Sequence, residues 1–185
     1  MKKILITALL AVFLSQSAFA QFFAGGGLSF AFQQAQAIGF GQSGTTDVRL
    51  FSTSIRPLVG YRFGIADAGL LFEYFNQSTS VNIPGLPNFS SIGIGIFGEL
   101  QLFSRGNFSI SGRGSFLYTT LVDLDYRELR IDLEPIFEYA IVDRLSFFTN
   151  VGLVRFLPAA LDRPANTFVL SIFTGPTIGF RFFFE

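Results

Sequence analysis

The sequence predicts an all-β chain that forms an eight-stranded antiparallel up-and-down transmembrane β-barrel. Half of the 185 residues are hydrophobic, and 14% are charged, against about 25% in an average soluble domain. Beyond the N-terminus, no stretch of the sequence reaches the roughly 18 consecutive apolar residues that a membrane helix needs. Apolar and polar residues instead alternate with a period of two, which is typical of strands with one apolar face.

An export signal is predicted at the N-terminus, over residues 1–20. Met1-Lys2-Lys3 supplies positive charge, and residues 4–14 form an apolar run. Ser17-Ala18-Phe19-Ala20 then has the small-x-small pattern that signal peptidase reads, so we expect cleavage after Ala20. The alternative is a membrane anchor, which the shortness of the apolar run and the cleavage pattern disfavour.

Cleavage leaves residues 21–185 as a single barrel domain. Both lysines of the chain lie in the signal, so this domain carries 11 Arg against 13 Asp plus Glu, a net charge of −2. Such a balance provides no basic patch, and nucleic acid is therefore not an expected partner. The chain has no Cys, which excludes disulfides and thiolate metal sites.

The first four strands are predicted within residues 25–32, 51–62, 70–77 and 90–103. In the first, apolar side chains stand opposite Gly and Ser, and in the others they stand opposite Ser, Arg, Gly, Glu or Gln. Their apolar faces are Leu28, Phe30 and Phe32; Phe51, Ile55, Val59 and Tyr61; Leu70, Phe72 and Tyr74; and Ile92, Ile94, Ile96, Leu100 and Leu102.

The last four strands are predicted within residues 108–121, 128–141, 145–153 and 170–184. The second of these has the clearest pattern, because its charged residues share one parity and its apolar residues share the other. The apolar faces are Phe108, Ile110, Phe116 and Tyr118; Leu129, Ile131, Leu133, Phe137, Tyr139 and Ile141; Leu145, Phe147, Val151 and Leu153; and Leu170, Ile172, Ile178, Phe180, Phe182 and Phe184.

Short and long connections alternate between the predicted strands. Short turns fall near residues 64–67, 104–107 and 142–144, and longer links near 34–48, 79–88, 122–127 and 157–166. The links are rich in Gly, Pro, Asn, Asp and Ser, the usual turn formers. This alternation is typical of outer-membrane barrels, which have short periplasmic turns and longer external loops.

The apolar face is predicted to be the outer face. An eight-stranded barrel has an interior only just wide enough for side chains to fill, and Gly and Ser suit that space better than crowded Phe, Leu and Ile. Without Lys, the polar face also lacks the charge density of a soluble surface. The opposite arrangement, a soluble lipocalin-like barrel with an apolar ligand cavity, is the remote alternative.

Parity places charges of both signs in the lumen. Five Arg face six acidic residues, and this balance is needed because unpaired charges in a narrow space are costly. We expect an ionic network that closes the lumen; a narrow small-solute channel whose selectivity these charges set is the sharper alternative. The predicted network is Arg56, Arg62, Glu73, Glu99, Arg113, Glu128, Arg130, Asp132, Glu134, Glu138 and Arg181.

Three segments resemble those of the small outer-membrane barrels of the OmpA/OmpX-like superfamily, in the style of the porin-family outer membrane protein beta-barrel domain of Bacteroidota. They are Gly25-Gly26-Gly27, Arg56-Pro57-Leu58-Val59-Gly60-Tyr61 and Gly179-Phe180-Arg181-Phe182-Phe183-Phe184. The resemblance implies the bacterial outer membrane, with lipid and lipopolysaccharide around the barrel and with the barrel-assembly machinery reading its last strand. In that family the chain usually ends on an aromatic residue, whereas here Glu185 follows Phe184.

No catalytic, cofactor or metal site is predicted. The chain has no His, the usual acid–base group near neutral pH, and the domain has no Lys to activate a Ser. Two carboxylate pairs, Asp123/Asp125 and Asp132/Glu134, are better explained by a solvated loop and by lumen ion pairs, and Asp123 and Asp125 with Glu128 lack a calcium-loop pattern. We therefore expect a non-enzymatic structural or surface-interaction barrel, the alternatives being the channel and a transporter of apolar ligands.

Overall fold

A computed structural model of the chain describes residues 20–38, 45–79, 88–122, 125–162 and 165–184. Within these ranges the chain forms eight strands, and no helix there is long and apolar enough to cross a membrane. The predicted export signal lies outside them except for Ala20. The strands are β1 (Gln21–Ile38), β2 (Thr45–Phe63), β3 (Ala66–Thr79), β4 (Phe89–Arg105), β5 (Phe108–Leu121), β6 (Arg127–Val142), β7 (Leu145–Leu157) and β8 (Thr167–Phe184).

Each strand pairs antiparallel with the next, and β8 pairs with β1, so the sheet closes into a barrel. The side chains alternate between lumen and exterior: in β4, Ile92 and Ile94 are 52% and 50% exposed, whereas Ser91 and Glu99 are 5% exposed. β5 and β6 show the same alternation. The predicted fold class is therefore confirmed, and the large apolar side chains of the exterior exclude the lipocalin arrangement, in which they would line the interior.

The connections alternate in length, as predicted. Two-residue turns at Gly64-Ile65, Gly106-Asn107 and Asp143-Arg144 join β2 to β3, β4 to β5 and β6 to β7. Gly64 and Gly106 have φ angles of 64° and 59°, which tight hairpins require and which glycine adopts without strain. We call this end of the barrel the short-turn end and the opposite end the long-connection end.

Two predicted boundaries are wrong. β3 begins at Ala66, so Asp67 belongs to the strand and not to the turn. The link predicted over residues 34–48 is shorter, because β1 continues to Ile38 and β2 begins at Thr45. Backbone pairing continues there beyond the apolar part of both strands, and alternation of hydrophobicity does not report pairing that buries no apolar face.

Gly95 marks a close approach between β4 and β5. A Cβ built there would lie 2.1 Å from the backbone oxygen of Phe116 and 2.9 Å from Cγ of Leu117. Because the strands would have to move apart, we expect Gly95→Ala to lower the free energy of unfolding by about 1–3 kcal/mol. Urea unfolding in detergent micelles, followed by circular dichroism, measures this change.

Gly98→Ala is the matched control, on the same strand but on the exterior. A Cβ at Gly98 meets nothing within 4 Å, so replacing a flexible glycine should raise the free energy of unfolding by about 0.5–1 kcal/mol. Equal effects of the two substitutions would contradict the close approach at Gly95.

Candidate functional site

The lumen near the short-turn end holds a cluster of ion pairs centred on Arg181. This side chain is fully buried, and its guanidinium lies 2.7 Å from Asp67 Oδ2, 2.9 Å from Glu99 Oε2 and 3.3 Å from Glu138 Oε2. One strand near the C-terminus is thereby tied to three others across the lumen. We call this set the lower cluster: Arg62, Asp67, Glu99, Arg113, Glu138 and Arg181.

Strand register builds the rest of the lower cluster. Arg62 stands directly opposite Asp67, and its Nε and Nη2 donate to the two carboxylate oxygens at 2.9 Å each. Arg113 likewise stands opposite Glu99 and donates from Nε at 3.0 Å and Nη2 at 2.8 Å. Opposite charges directly across an antiparallel pair stabilise a sheet, and the planar guanidinium fork suits such contacts.

A layer of buried apolar side chains packs against the lower cluster. Most of it lies on the side away from the short turns, whereas Phe183 follows Arg181 towards the short-turn end of β8. Along β2 the lumen-facing residues are, in order, Arg62, Gly60, Leu58 and Arg56. β3 and β6 likewise place Leu71 and Ile136 between two charges. The arginines of the lower cluster contact this layer through their faces, with Arg181 5.0 Å and Arg113 5.3 Å from the nearest ring centroids. The apolar layer is Phe23, Leu58, Leu71, Phe97, Leu117, Ile136, Phe148 and Phe183.

Glycines on neighbouring strands make room for the rings of the apolar layer. A Cβ at Gly179 would lie 2.5 Å from the tip of Phe148, and a Cβ at Gly60 would lie 3.0 Å from the tip of Phe23. The prediction of a lumen face made mostly of Gly, Ser and charges does not include these rings, which fit because glycine on one strand creates the space that an aromatic ring on another strand fills.

A second ionic cluster lies on the other side of the apolar layer. Arg56 pairs with Glu73 and Glu134, and Arg130 lies 2.7 Å from Glu73 Oε1 and 2.9 Å from Asp132 Oδ2. Every carboxylate here contacts at least one Arg, so the charges compensate one another locally. We call this set the upper cluster: Arg56, Glu73, Arg130, Asp132, Glu134, Asn150 and Arg155.

Asp132 and Glu134 are engaged on both carboxylate oxygens. Arg155 holds both oxygens of Asp132, at 2.8 and 3.1 Å. Glu134 accepts from Arg56 on one oxygen and from Asn150 Nδ2 at 3.0 Å on the other. This geometry is typical of a structural ion-pair network. All four carboxylate oxygens are already engaged by Arg or Asn side chains, so none is left to transfer a proton or to bind a metal ion.

The structure divides the predicted network between these two clusters. Ten of the eleven predicted residues lie in one or the other, while Glu128 is half-buried nearer the long-connection end. Two partners escape the sequence prediction. The sequence predicts a turn at Asp67, so this residue is absent from the predicted network. Arg155 lies beyond a register shift between Asn150 and Gly152 that reverses the parity of β7. Asp123, proposed with Asp125 as a carboxylate pair, lies outside the described residues.

A cavity of about 460 Å³ lies between the upper cluster and the long-connection end. Its inner wall is formed by charged members of the upper cluster, including Arg56, Glu73 and Arg130. Nearer the strand ends it is lined by Gln77, Phe89, Leu121 and Tyr126, with serine and threonine side chains between. This volume is within the range of about 300–1,000 Å³ that small-molecule sites occupy.

No protein-family model matches the chain, and no curated protein matches it. Among solved structures it is similar to the outer membrane protein OprG from Pseudomonas aeruginosa, with 16% identity and a TM-score of 0.54 over 90% of this chain and 96% of that one. Neisserial surface protein A aligns with 14% identity and a TM-score of 0.49 over 89% of this chain and 99% of that one. At such identities the OprG likeness bears on the fold alone: the chain has the fold of a small outer-membrane β-barrel.

Proposed function

We propose that the chain is a non-enzymatic integral protein of the bacterial outer membrane, with a structural or surface-interaction role and a closed lumen. One observation carries the location: within the described residues, the closed barrel exposes large apolar side chains on seven of its eight strands. Examples are Phe30, Ile96 and Leu133, which are 60%, 60% and 55% exposed. An apolar exterior of this extent suits a bilayer and would drive association in water.

Lipid and lipopolysaccharide are the partners proposed for this exterior. The barrel-assembly machinery is proposed to read β8, whose outward Phe180, Phe182 and Phe184 are 53%, 43% and 42% exposed. These residues belong to the segment that resembles the OmpA/OmpX-like superfamily, and we propose kinship with that superfamily on this basis. Extraction from cell envelopes by detergent, but not by buffer, tests the location; recovery in the soluble periplasm would overturn it.

Neighbouring cysteines on β5 provide a sharper test of which face meets lipid. Ser115 is 6% exposed towards the lumen, and Phe116 is 43% exposed on the exterior. We expect a cysteine at Phe116 in the folded protein to react with a lipid-soluble maleimide, and a cysteine at Ser115 to be protected because the lumen is packed. Each variant is compared with itself after unfolding, and protection at Phe116 with reaction at Ser115 would contradict the membrane orientation.

Three successive barriers support a closed lumen: the lower cluster, the apolar layer and the upper cluster. Eight strands leave little free width, and here rings and paired charges occupy it. We therefore expect the protein to show no steady conductance steps in planar bilayers. Replacing Phe97 and Phe148 together with Ala should produce steps, because it opens the apolar layer and leaves only the two polar clusters, which water and ions can enter.

The control for this measurement removes two exterior rings, Phe116→Ala with Phe147→Ala, which should leave the bilayer silent. Steady, charge-selective steps from the unchanged protein would favour the small-solute channel instead. The transporter of apolar ligands is less well supported, because Arg56, Glu73 and Arg130 line the inner wall of the lumen cavity.

A further inference from the structure

The walls of the lumen cavity are rich in neutral hydrogen-bonding groups. Hydroxyl and amide side chains come from β1 to β5, β7 and β8, so they face the cavity from most sides. Hydroxyls both donate and accept hydrogen bonds, and amides offer both kinds of group. These wall residues are Ser29, Ser52, Ser54, Gln77, Ser91, Thr119, Asn150 and Thr177.

Most charges of the cavity wall are already matched within the lumen. Arg56 and Arg130 share Glu73, and Arg155 is held by Asp132 just behind the wall. A charged ligand would have to displace one of these ion pairs, or bring its own charge into the lumen uncompensated. A neutral polar ligand avoids both costs.

One hydroxyl of the wall lacks a partner. Thr119 is 3% exposed, and its Oγ1 makes no hydrogen bond within the described structure. Buried polar groups are nearly always hydrogen-bonded, and Thr119 lines the cavity, so rotation about its χ1 angle would bring this unpaired hydroxyl to a molecule held there. Thr119 lies two residues before the long-connection end of β5, between Leu117 of the apolar layer and Leu121.

Aromatic rings supply an apolar surface on the same cavity. Phe75 and Phe89, on neighbouring strands, have centroids 5.7 Å apart and planes inclined by 39°. Tyr126 adds a third ring to the lining. Flat apolar surface beside hydroxyls and amides matches a molecule that has both a hydrocarbon face and a rim of hydroxyl groups.

We propose that this cavity binds an uncharged polyhydroxylated ligand, a sugar or the sugar at the end of a glycan chain. Its hydroxyls bond to the Ser, Thr, Gln and Asn side chains and to the orphan Thr119 Oγ1, and its carbon–hydrogen face packs on Phe75 and Phe89. Access of the ligand from outside the cell rests on the proposed outer-membrane location, with the long connections external. Binding itself depends only on the folded barrel. A failure of either therefore shows in a different measurement.

Saturation-transfer NMR on the barrel folded in lauryldimethylamine-oxide micelles, which carry no sugar group, tests the proposal. Glucose represents a free sugar, and maltohexaose a chain end. We expect saturable binding of at least one of them, and which one binds identifies the source. Glucuronate and glucosamine, which add a negative and a positive charge to the same ring, should bind at least about tenfold more weakly.

Paired variants locate the site. Thr119→Val removes the orphan hydroxyl at nearly constant volume and should weaken sugar binding about 2- to 10-fold, the contribution of one neutral hydrogen bond. Thr120→Val, the next residue on the opposite face, should leave binding unchanged. Phe75→Leu should weaken binding and exterior Phe72→Leu should not, which keeps the proposal testable if one variant folds poorly. No saturable binding below about 100 mM would mean that the cavity holds water only, and this would overturn the proposal; so would equal binding of the charged sugars.

Discussion

Replacing Arg181 with methionine is expected to lower the free energy of unfolding by about 3–5 kcal/mol, the largest loss we predict for a single side chain. Methionine keeps most of the volume but removes a cation that contacts Asp67, Glu99 and Glu138 together. Glu138 would keep Arg62, and Glu99 would keep Arg113, yet each would carry more uncompensated charge in a dry lumen. Urea unfolding in lipid vesicles, followed by circular dichroism, gives the value.

Two controls separate burial from charge. Arg127→Met breaks the exposed pair with Asp162 and should leave the free energy of unfolding unchanged within error, because exposed ion pairs contribute little. Glu99→Gln in the Arg181→Met background should recover part of the loss, since it removes one of the carboxylates left behind. If Arg181→Met cost no more than Arg127→Met, the lower cluster would be hydrated and the lumen open at that end.

Placing arginine at Leu133 is expected to cost about 2–4 kcal/mol, the penalty for Arg near the bilayer midplane on a barrel exterior. Leu133 is 55% exposed and lies near the middle of β6, so it projects from the barrel close to mid-depth. On a soluble protein the same substitution at a half-exposed position would be nearly neutral. The measurement therefore tests stability and environment together, again by unfolding in lipid vesicles.

The matched control moves the same charge along the same face of β6. Ile141 shares the parity of Leu133, is 47% exposed and lies next to the end of the strand. Ile141→Arg should cost only about 0–1 kcal/mol, because arginine near the interface reaches water and headgroups. Equal costs at the two positions would contradict a bilayer centred on the middle of β6.

The fold could be predicted from sequence because the two faces of a barrel strand have different surroundings, the exterior on one face and the lumen on the other. Every second residue of β4 and β6 faces the exterior. The alternate spacing of apolar residues such as Ile92, Ile94 and Leu133 therefore predicts a strand from the sequence alone. The short turns are equally local, since Gly64 and Gly106 supply the conformations that a hairpin needs. Such features depend on residues that are close together in the sequence, so a single sequence is enough to predict them.

The organisation of the lumen depends on neighbours across the chain, and much of it escaped prediction. Phe148 fits only because Gly179 faces it on the adjacent strand, and no local pattern joins those two positions. Arg155 lies beyond a bulge that shifts the parity of β7, so counting by twos places it on the wrong face. The separation of the charges into two clusters likewise follows from interstrand register, which alternation does not determine.

The pairing of β1 with β8, which closes the barrel, bears on the order in which contacts form during folding. In the described residues, Phe22–Ser29 pair with Thr177–Phe184, whereas β1 and β2 pair along the whole of β1. Arg181 lies on this last strand, and its partners are 114, 82 and 43 residues distant in sequence. Because of these separations, we expect its ionic contacts to form only once the two ends of the chain have met, after most of the entropy of loop closure has been lost.

Contacts that form so late are absent from the transition state for closure, and such contacts slow unfolding without speeding folding. We therefore expect the lower cluster to have little effect on the rate of folding and a large effect on the rate of unfolding. We expect Arg181→Met to shorten the lifetime of the folded barrel more than it slows folding.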